Sequence, residues 1–422
     1  RHIKMINYKK AKKILKKSTI KIKNETVNSM RSLNRVSCSN IYSPVNYPAG
    51  NNTAFDGYAI NSKDTLRLNK KKIMKFEVMK TIAAGDNPKI NNIKKFQAIE
   101  VMTGALISKP FNTVIPIEKI KFYSSNKNKK YILIDKKIKK DEHIRYLGSD
   151  YKKNEIVIKK GDLIQQSHIL AFKTLGIKRV NVKKKPTIIF FSTGNEISEK
   201  KNISPWQIRN SNSYYIKSLS NNFLFNFIDG GILRDKESSL FNKLIKKNLK
   251  SKIDIIITSG AVSAGKFDFV PSVIKKFKLF DYFKGVAIRP GKPILFAKFK
   301  DKNKAFFGLP GNPISSAACF RFFVYPYLST ILGLKEEKPF KARLKSKFEK
   351  KKNFTRFLKG KLTSTSNGKL EIDILKGQES FRINSFVRAN VWGIFDAGQS
   401  LFKKGQLIEC HSPTVSNKNI FN

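Results

Sequence analysis

In the central part of the chain, short apolar runs alternate with segments of helical spacing, and this alternation constrains the fold more than any other feature. Thr187–Ser192 and Asp254–Thr258 are nearly continuous apolar runs, as expected of parallel strands that are buried on both faces. Helical spacing of apolar residues follows these runs, over 210–219, 235–249 and 267–277. Strands that alternate with helices predict βαβ units and a mostly parallel sheet, in a multidomain fold of the α/β plus β class.

The regions on either side of this α/β segment have a different character. Turn residues and short β-like runs dominate residues 47–145, which we predict to be a small, mostly β domain. Between that domain and the α/β segment, Asp162–Leu175 has the apolar spacing of a helix. After Lys338 only strands are expected, including one over Ser385–Phe395, and we predict a small C-terminal β-barrel.

The net charge of +55, from 85 basic and 30 acidic residues, first suggests a nucleic-acid partner. The lysines, however, are spread along the whole chain together with many Asn, Ile and Phe residues, the mixture expected from an AT-biased genome. We therefore predict no nucleic-acid partner. An anionic substrate would still be attracted to this charge, and its binding should weaken with salt.

Cysteine and histidine usage restricts the metal chemistry of the chain. The three cysteines are far apart and the four histidines form no H-E-x-x-H motif, so neither a disulfide framework nor a zinc site is expected. Carboxylates and other oxygen ligands would hold any metal, which favours magnesium. No run approaches the roughly 18 apolar residues of a membrane helix, and the basic N-terminal stretch lacks the apolar core of a signal peptide. We expect a cytoplasmic protein without a membrane partner.

Three loops rich in glycine and hydroxyl side chains follow strands of the predicted sheet, where open α/β sheets bind their ligands. They are Ser192–Glu196, Ser259–Asp268 and Gly308–Pro313. Backbone N–H groups just before a helix favour a bound anion, and the helix dipole adds to this preference. The sequence therefore predicts an anion site formed by Ser192, Thr193, Gly194, Ser259, Gly260, Ser263, Gly265, Pro310, Gly311 and Asn312.

The second loop contains a near match to a nucleotide-binding motif. Gly260–Lys266 spells G-x-x-x-x-G-K, but Phe267 follows where a P-loop has the hydroxyl that binds magnesium, so we do not predict a P-loop. Glu196, Asp235 and Asp268 each follow a strand. Carboxylates beside bound phosphates need a bridging cation, so we predict these three as magnesium ligands. The alternative for Asp235 is a simple helix cap.

Two further groups of residues are candidates for binding. The turn Arg289–Pro293 carries two cations, Arg289 and Lys292, on a backbone stiffened by proline, and such cations can stabilise charge that develops during group transfer. The β-rich domain contains Asn52–Ala59 and Met102–Ala105, as well as Arg145 with Asp150. Each of these elements is weak alone, because Asp-Gly is most often a turn.

Seven motifs taken together, in this order, closely resemble the molybdopterin molybdenumtransferase family, to which the C-terminal domain of gephyrin is related. The resemblance spans roughly residues 30–415. The motifs are Phe55–Ala59, Met102–Ala105, Ser192–Glu196, Arg209–Ser213, Ser259–Asp268, Arg289–Pro293 and Leu309–Pro313.

The resemblance implies a four-part fold. Residues 1–46 and 146–183 would form a discontinuous linker domain, 47–145 a β-rich insert, 184–334 a molybdopterin-binding three-layer α/β domain, and 335–422 a C-terminal β-barrel. It also implies an activity. The enzyme would insert molybdate into adenylylated molybdopterin and release AMP, as a magnesium-dependent homodimer that also contacts a molybdopterin adenylyltransferase.

The resemblance implies a site shared between two subunits. Asp56 and Thr103 of one subunit would face Glu196, Asp235 and Asp268 of the other, and Arg145 and Asp150 would bind substrate. Asn195, Ala261 and Lys266 depart from the family's usual residues, which puts full activity in question. The rival functions are a molybdopterin adenylyltransferase, which would lack the insert and the C-terminal β region, and a non-catalytic molybdopterin-binding scaffold. Retention of the acidic residues favours catalysis.

Overall fold

A computed structural model describes residues 5–123, 129–220, 224–234, 238–260, 262, 279–299 and 302–413. The chain divides into two compact units. The larger unit comprises residues 1–39, 160–165 and 179–422, and the smaller one comprises 40–159 and 166–178. None of the described helices is long and apolar enough to cross a membrane.

A six-stranded sheet forms the centre of the larger unit. From one edge to the other, its strands are Asn226–Leu233, Thr187–Thr193, Ile255–Ser259, Ala305–Leu309, Leu295–Phe299 and Leu279–Lys284. The first four are mutually parallel, while the last two are antiparallel to their neighbours. The predicted mostly parallel sheet therefore has an antiparallel edge, which is common in large α/β sheets.

Both faces of this sheet are buried, because successive side chains of a strand point to opposite faces. Ile188 and Phe190 pack into one core together with the helix Asn212–Ser220 and a long helix over 313–332. The long helix consists of the α-helical segments Pro313–Cys319 and Tyr325–Leu332, joined by the π-helical segment Phe320–Val324. Ile189 and Phe191 pack into a second core with the helix Ser238–Leu249. This arrangement confirms the three-layer α/β fold.

A closed β-barrel follows the α/β layers. Its five strands are, in order around the barrel, Thr355–Ser364, Leu370–Ile374, Phe340–Leu344, Leu407–His411 and Val391–Phe395, which pairs back with Thr355–Ser364. The predicted C-terminal barrel is thereby confirmed. The short strand Ile288–Arg289, from the α/β part of the chain, adds to the barrel beside Thr355–Arg356.

The remaining elements of the larger unit are short. The helix Tyr8–Lys17 begins at Asn7, whose side chain accepts the N–H of Lys10. The strand Asn24–Asn28 pairs with Arg179–Lys183. The others are a 3-10 turn and short strands: Ser29–Ser32, Ile197–Ser198, Ile208–Arg209, Phe348–Glu349 and Leu401–Phe402.

The smaller unit is built on a second six-stranded sheet, as predicted for a β-rich region. Its order is Thr113–Pro116, Gly57–Ile60, Gln97–Val101, Met74–Ile82, Tyr131–Ile134 and Lys121–Tyr123. Tyr58, Phe76 and Ile132 fill the core on one face, while Ile82, Ile99 and Val114 pack on the other. Its remaining elements are Ile41–Tyr42, Asn52–Thr53, Ser62–Thr65, Ile117–Lys119, Ile144–Arg145, Ile156–Ile158 and the helix Gln166–Thr174.

One prediction about secondary structure was wrong, and one predicted helix starts later than expected. A helix, Ile383–Arg388, follows Lys338, where we expected only strands, and the strand predicted over Ser385–Phe395 begins at Val391. The helix predicted from Asp162 begins at Gln166, because Ile164 instead exchanges backbone hydrogen bonds with Asn34 and Arg35. The division into four domains stays a prediction.

Candidate active site

The described parts of the three predicted loops lie side by side, because the strands that precede them are neighbours. Ser192 lies opposite Ser259, and Ser259 lies opposite Leu309, at the carboxyl ends of three parallel strands. The loops surround a cavity of about 420 Å³, which we call the loop cavity. It is lined by Ser192, Thr193, Gly194, Glu196, Ile197, Ile208, Arg209, Asn210, Ser211, Asn212, Ser259, Gly260, Val262, Pro293, Pro310, Gly311, Asn312 and Pro313.

Hydrogen bonds join the loops to one another. The Asn212 side-chain amide donates to Ser259 Oγ at 2.6 Å and to the Gly311 carbonyl at 2.8 Å. Ser259 Oγ in turn donates to the Pro310 carbonyl at 3.3 Å, and Thr193 Oγ1 donates to the Ser259 carbonyl at 3.0 Å. These bonds fix the shape of the loop cavity without a ligand.

Two glycines allow the loops to approach closely. At Gly260, φ is +99°, and a Cβ atom would lie 2.4 Å from the Thr193 carbonyl oxygen. At Gly194, φ is +145°, and a Cβ atom would lie 2.4 Å from Glu196 Oε2. Any side chain at Gly194 would therefore displace the Glu196 carboxylate, which lies directly over this glycine.

Glu196 is the one predicted magnesium ligand within the described residues. Its carboxylate lines the loop cavity and offers the hard oxygen atoms that magnesium prefers. Asp235 and Asp268, as well as Ser263 and Gly265, lie outside the described residues. No group of three His, Cys, Asp or Glu side chains comes together as a metal site in the described part of the chain.

The long helix over 313–332 starts at the loop cavity. Its N-cap residue, Asn312, makes no side-chain capping bond, and Pro313 occupies the first turn. The Asn312 amide donates instead to Ser380 Oγ at 3.0 Å, and the Ile314 N–H donates to the Ser380 carbonyl. The loop that follows the barrel strand Leu370–Ile374 thus contacts this helix terminus, whose dipole favours a negative charge.

The predicted cations Arg289 and Lys292 line a second cavity of about 810 Å³, which shares the lining residue Pro293 with the loop cavity. We call it the cationic cavity. Three more cations, from the barrel, also line it: Lys347, Arg356 and Lys376. Its two acidic residues, Asp373 and Glu379, already pair with Lys345 and Arg382. An excess of positive charge therefore faces this cavity.

Arg289 and Arg356 are held close together, because they lie opposite each other on adjacent strands. Burial, followed by the charge of Arg289, lowers the pKa of Arg356. Arg356 Nε is buried and has no hydrogen-bond partner among the described residues. Burying such a group without a partner is costly, so this pair of arginines suits a bound anion.

In the smaller unit, Asp56 and Thr103 are in direct contact, although they lie 47 residues apart. Asp56 Oδ1 accepts the Thr103 N–H at 2.6 Å and the Thr103 hydroxyl at 2.8 Å. These two bonds lower the pKa of the exposed Asp56 carboxyl group, so it is held ionised. Two weak motifs thereby form one structural element.

Arg145 and Asp150 are both exposed on the same unit. Arg145 lies opposite Asn52, just before the turn that carries Asp56. The Asp150 N–H donates to the Tyr47 carbonyl at 3.1 Å. The structure therefore places Arg145 near the Asp56 turn, while Asp150 belongs to a separate turn.

Two residues of the loop cavity, Asn210 and Asn212, were not among the predicted site residues. Asn212 holds two of the loops together, and Asn210 accepts the Ser192 hydroxyl at 2.8 Å. Asn212 is the first residue of the helix Asn212–Ser220, and Asn210 lies two residues before it. Both belong to the motif Arg209–Ser213, which carried part of the family resemblance, and the run of Asn and Ser over 210–213 could have indicated another loop at the same edge of the sheet.

Comparison with known proteins agrees with this architecture. Residues 6–176 match the model of the MoeA N-terminal region (domain I and II), 189–330 match a probable molybdopterin binding domain, and 341–412 match the MoeA C-terminal region (domain IV).

Similar proteins extend over nearly the whole chain. A molybdopterin molybdenumtransferase from Staphylococcus epidermidis is 32% identical, over 96% of this chain and 94% of its own length. The Haemophilus influenzae protein of that name is 29% identical, over 94% and 95%. The structure of a molybdopterin biosynthesis MoeA protein from Pyrococcus horikoshii matches with a TM-score of 0.80 and 28% identity, covering 97% of this chain and 99% of that one. The chain belongs to the molybdopterin molybdenumtransferase family.

Proposed function

We propose that this protein inserts molybdate into adenylylated molybdopterin and releases AMP, the final step of molybdenum cofactor assembly. The observation that carries the proposal is a pair of neighbouring cavities that are both lined by Pro293. One is lined by loops suited to a phosphorylated ligand, and the other by cations suited to a small oxyanion. The reaction needs both kinds of site beside each other.

The loop cavity would bind the molybdopterin substrate. Its volume of about 420 Å³ falls within the range of ligand pockets, roughly 300–1,000 Å³. The N-terminus of the helix over 313–332 would face the phosphate groups of the substrate. Because the loops are already joined through Asn212, little ordering would be needed on binding.

The cationic cavity would hold molybdate, with Arg289, Lys292 and Arg356 as its principal cations. These charges attract the anion and bring it next to the substrate's dithiolene sulfurs, which are to become the ligands of molybdenum. The chain would contribute mainly positioning and charge neutralisation. Since the sulfurs belong to the substrate, no cysteine of the protein is required.

Glu196 would be one ligand of a magnesium ion, together with Asp235 and Asp268. When bound, magnesium would neutralise the phosphate groups of the substrate. Its fit rests on the hard carboxylate oxygens of Glu196 at the edge of the loop cavity. Asp56, held ionised by Thr103, would act at the same reaction centre.

We also propose that the protein acts as a homodimer. In such a dimer, the Asp56–Thr103 element of one subunit would meet the loop cavity of the other, and Arg145 and Asp150 would bind the same substrate. A molybdopterin adenylyltransferase is the expected partner that delivers the adenylylated intermediate. The exposure of Asp56 and Arg145 supports this proposal.

The decisive test is incubation with adenylylated molybdopterin and magnesium, with and without molybdate. We expect AMP release to depend on molybdate. Arg356→Ala and Lys292→Ala should raise the molybdate concentration needed for half-maximal rate by at least tenfold, an effect on the order of 1.4 kcal/mol per cation.

Arg343→Ala serves as the matched control, because Arg343 is an exposed barrel arginine that donates to the Gly405 carbonyl outside both cavities. Its molybdate dependence should equal that of the wild type. AMP release at the same rate without molybdate would rule out the proposed reaction.

A further inference from the structure

Arg234 makes an unusual set of contacts with the loop that carries Glu196. Its Nη1 atom donates to the carbonyl oxygens of Gly194 at 3.1 Å, Asn195 at 3.1 Å and Ile197 at 2.8 Å. Three carbonyls on both sides of Glu196 thus converge on one guanidinium nitrogen.

Two further backbone groups of this loop are also hydrogen-bonded. The Glu196 carbonyl accepts the Ile208 N–H at 2.8 Å, and the Gly194 N–H donates to the Leu233 carbonyl at 3.0 Å. Arg234 directly follows Leu233, at the end of a strand that pairs with the strand preceding the loop. Arg234 therefore lies next to the loop over 194–197 in the sheet and is hydrogen-bonded to it.

The convergence of carbonyls explains why a cation is needed at this point. Carbonyl oxygens that approach one another repel, because each carries partial negative charge, and a charged donor offsets this repulsion. Guanidinium suits the task, since it is always charged and has donors only. Without it, the three carbonyls would turn apart, and the backbone on either side of Glu196 would rotate with them.

Such a rotation would move the Glu196 carboxylate. That carboxylate lies over Gly194, close enough that a Cβ atom there would be 2.4 Å from Oε2. Its position is therefore set by the conformation of the same four-residue loop that Arg234 holds. Arg234 itself is not among the residues that line the loop cavity.

We infer that Arg234 is a positioning residue for the reaction: it fixes the loop over 194–197 and thereby holds the Glu196 carboxylate at the edge of the loop cavity. This inference rests on the proposed function for its catalytic consequence, but not for its structural one. Arg234 acts through Glu196 and does not touch the substrate.

The catalytic consequence is tested by a double-mutant cycle of AMP release in the presence of molybdate. Arg234→Ala should lower kcat about 10- to 100-fold with little change in KM, and Arg234→Ala combined with Glu196→Ala should be no slower than Glu196→Ala alone. Arg234→Lys should recover much of the loss, because an ammonium group can serve three carbonyls, as Lys359 does in this protein. Additive effects in the double variant would overturn the inference.

The structural consequence is tested by amide hydrogen exchange, which requires no activity. In Arg234→Ala the amides of Gly194 and Ile208 should exchange at least about fivefold faster, while those of the buried strand Ile255–Ser259 stay unchanged. Arg343→Ala is again the control. Unchanged exchange at Gly194 and Ile208 would refute the positioning role, as would faster exchange with normal kcat. A wild-type enzyme without molybdate-dependent AMP release would refute the proposed function instead, and the exchange result would still decide whether Arg234 holds the loop.

Discussion

Arg321 and Glu337 form a buried ion pair that links the last helix of the α/β part to the barrel side of the larger unit. Arg321 is 2% exposed and donates to Glu337 at 2.9 and 2.6 Å. His411, from the last barrel strand, lies 3.5 Å from Glu337 and 2.9 Å from Glu409. Burial alone would raise the pKa of Glu337, but hydrogen bonds with His411 and Arg321 outweigh it and lower the pKa to about 2.

The contribution of Glu337 to the free energy of unfolding should therefore depend on pH. The folded pKa of Glu337 lies below its ordinary value of 4.5, so the stabilisation is complete above pH 4.5 and is lost as the pH falls towards 2. At pH 7, Glu337→Gln should lower the free energy of unfolding by about 3–5 kcal/mol, since it leaves Arg321 buried without its partner. The deficit should shrink below pH 4.5 in urea titrations.

Glu336→Gln is the matched control for this prediction, because the neighbouring Glu336 is exposed and pairs with the exposed Lys16. A surface pair of this kind contributes about 0–1 kcal/mol. Equal losses in the two variants, or a deficit for Glu337→Gln that does not change with pH, would contradict the assignment.

At the scale of structural elements, the barrel strand Thr355–Ser364 is linked to residues around both cavities. It carries Arg356 to the cationic cavity, and its buried Lys359 donates to the carbonyls of Gly377, Glu379 and Arg382. These residues belong to the loop whose Ser380 contacts Asn312. One strand thereby connects the barrel to both cavities.

Replacing this buried lysine should weaken the barrel. Lys359→Met would leave three carbonyls without their donor, at a cost of about 1–3 kcal/mol. Burial lowers the pKa of Lys359 to about 8, below its ordinary value of 10.5. Wild-type stability should thus rise between pH 8 and 10.5, and the gap to Lys359→Met should widen over that interval.

Tryptophan fluorescence during urea unfolding can measure this effect, since Trp392 is buried in the barrel while the only other tryptophan, Trp206, is 78% exposed. Lys361→Met, on the same strand but exposed, is the control and should unfold like the wild type. A gap that stays constant from pH 7 to 10.5 would argue against a lowered pKa at Lys359.

Elements with a clear local pattern of apolar residues were predictable from the sequence. Elements that depend on contacts with distant parts of the chain were not. The buried strands Thr187–Thr193 and Ile255–Ser259 could be read from their apolar runs. The six-residue helix Ile383–Arg388 could not, because it is too short for a recognisable period and depends on packing, such as Phe386 against Tyr215. Its sequence also contains the β-branched Val387, which favoured a strand.

The same distinction applies to the candidate site. Glycines and hydroxyl residues after apolar runs indicated the loop cavity, and their proximity follows from the parallel register of the strands. The contact between Asp56 and Thr103 could not be derived from spacing, because it joins positions in different turns. The contribution of Lys347, Arg356 and Lys376 depends on how the barrel packs, which no local pattern encodes.

For the whole molecule, the central prediction concerns the proposed homodimer. If Asp56 of one subunit serves the loop cavity of another, Asp56→Ala and Glu196→Ala should each abolish most turnover without unfolding the protein. Mixed dimers of the two variants would then contain one intact site, and mixing equal amounts under exchange conditions should restore about a quarter of wild-type AMP release.

The value of one quarter follows from random pairing of the subunits. Half of the dimers would be mixed, and each mixed dimer would have one intact site out of two. Mixing each variant with itself is the control. Mixtures that remain as inactive as the single variants, despite proven subunit exchange, would place Asp56 and Glu196 in the same subunit's site. Near-normal rates in both single variants would remove these residues from the mechanism altogether.

The short strand Ile288–Arg289 determines how insertions in the sequence near Arg289 would affect the charges of the cationic cavity. Arg289 and Arg356 face each other across a parallel backbone ladder, so the spacing of their charges is set by strand register. Register changes only in whole residues, and a shift of one residue turns side chains to the opposite face. Small insertions near Arg289 would therefore remove one charge from the cavity instead of adjusting it gradually. Selectivity among oxyanions of different size would have to arise from the surrounding side chains, such as Lys292, Lys347 and Lys376, which are not tied to that ladder.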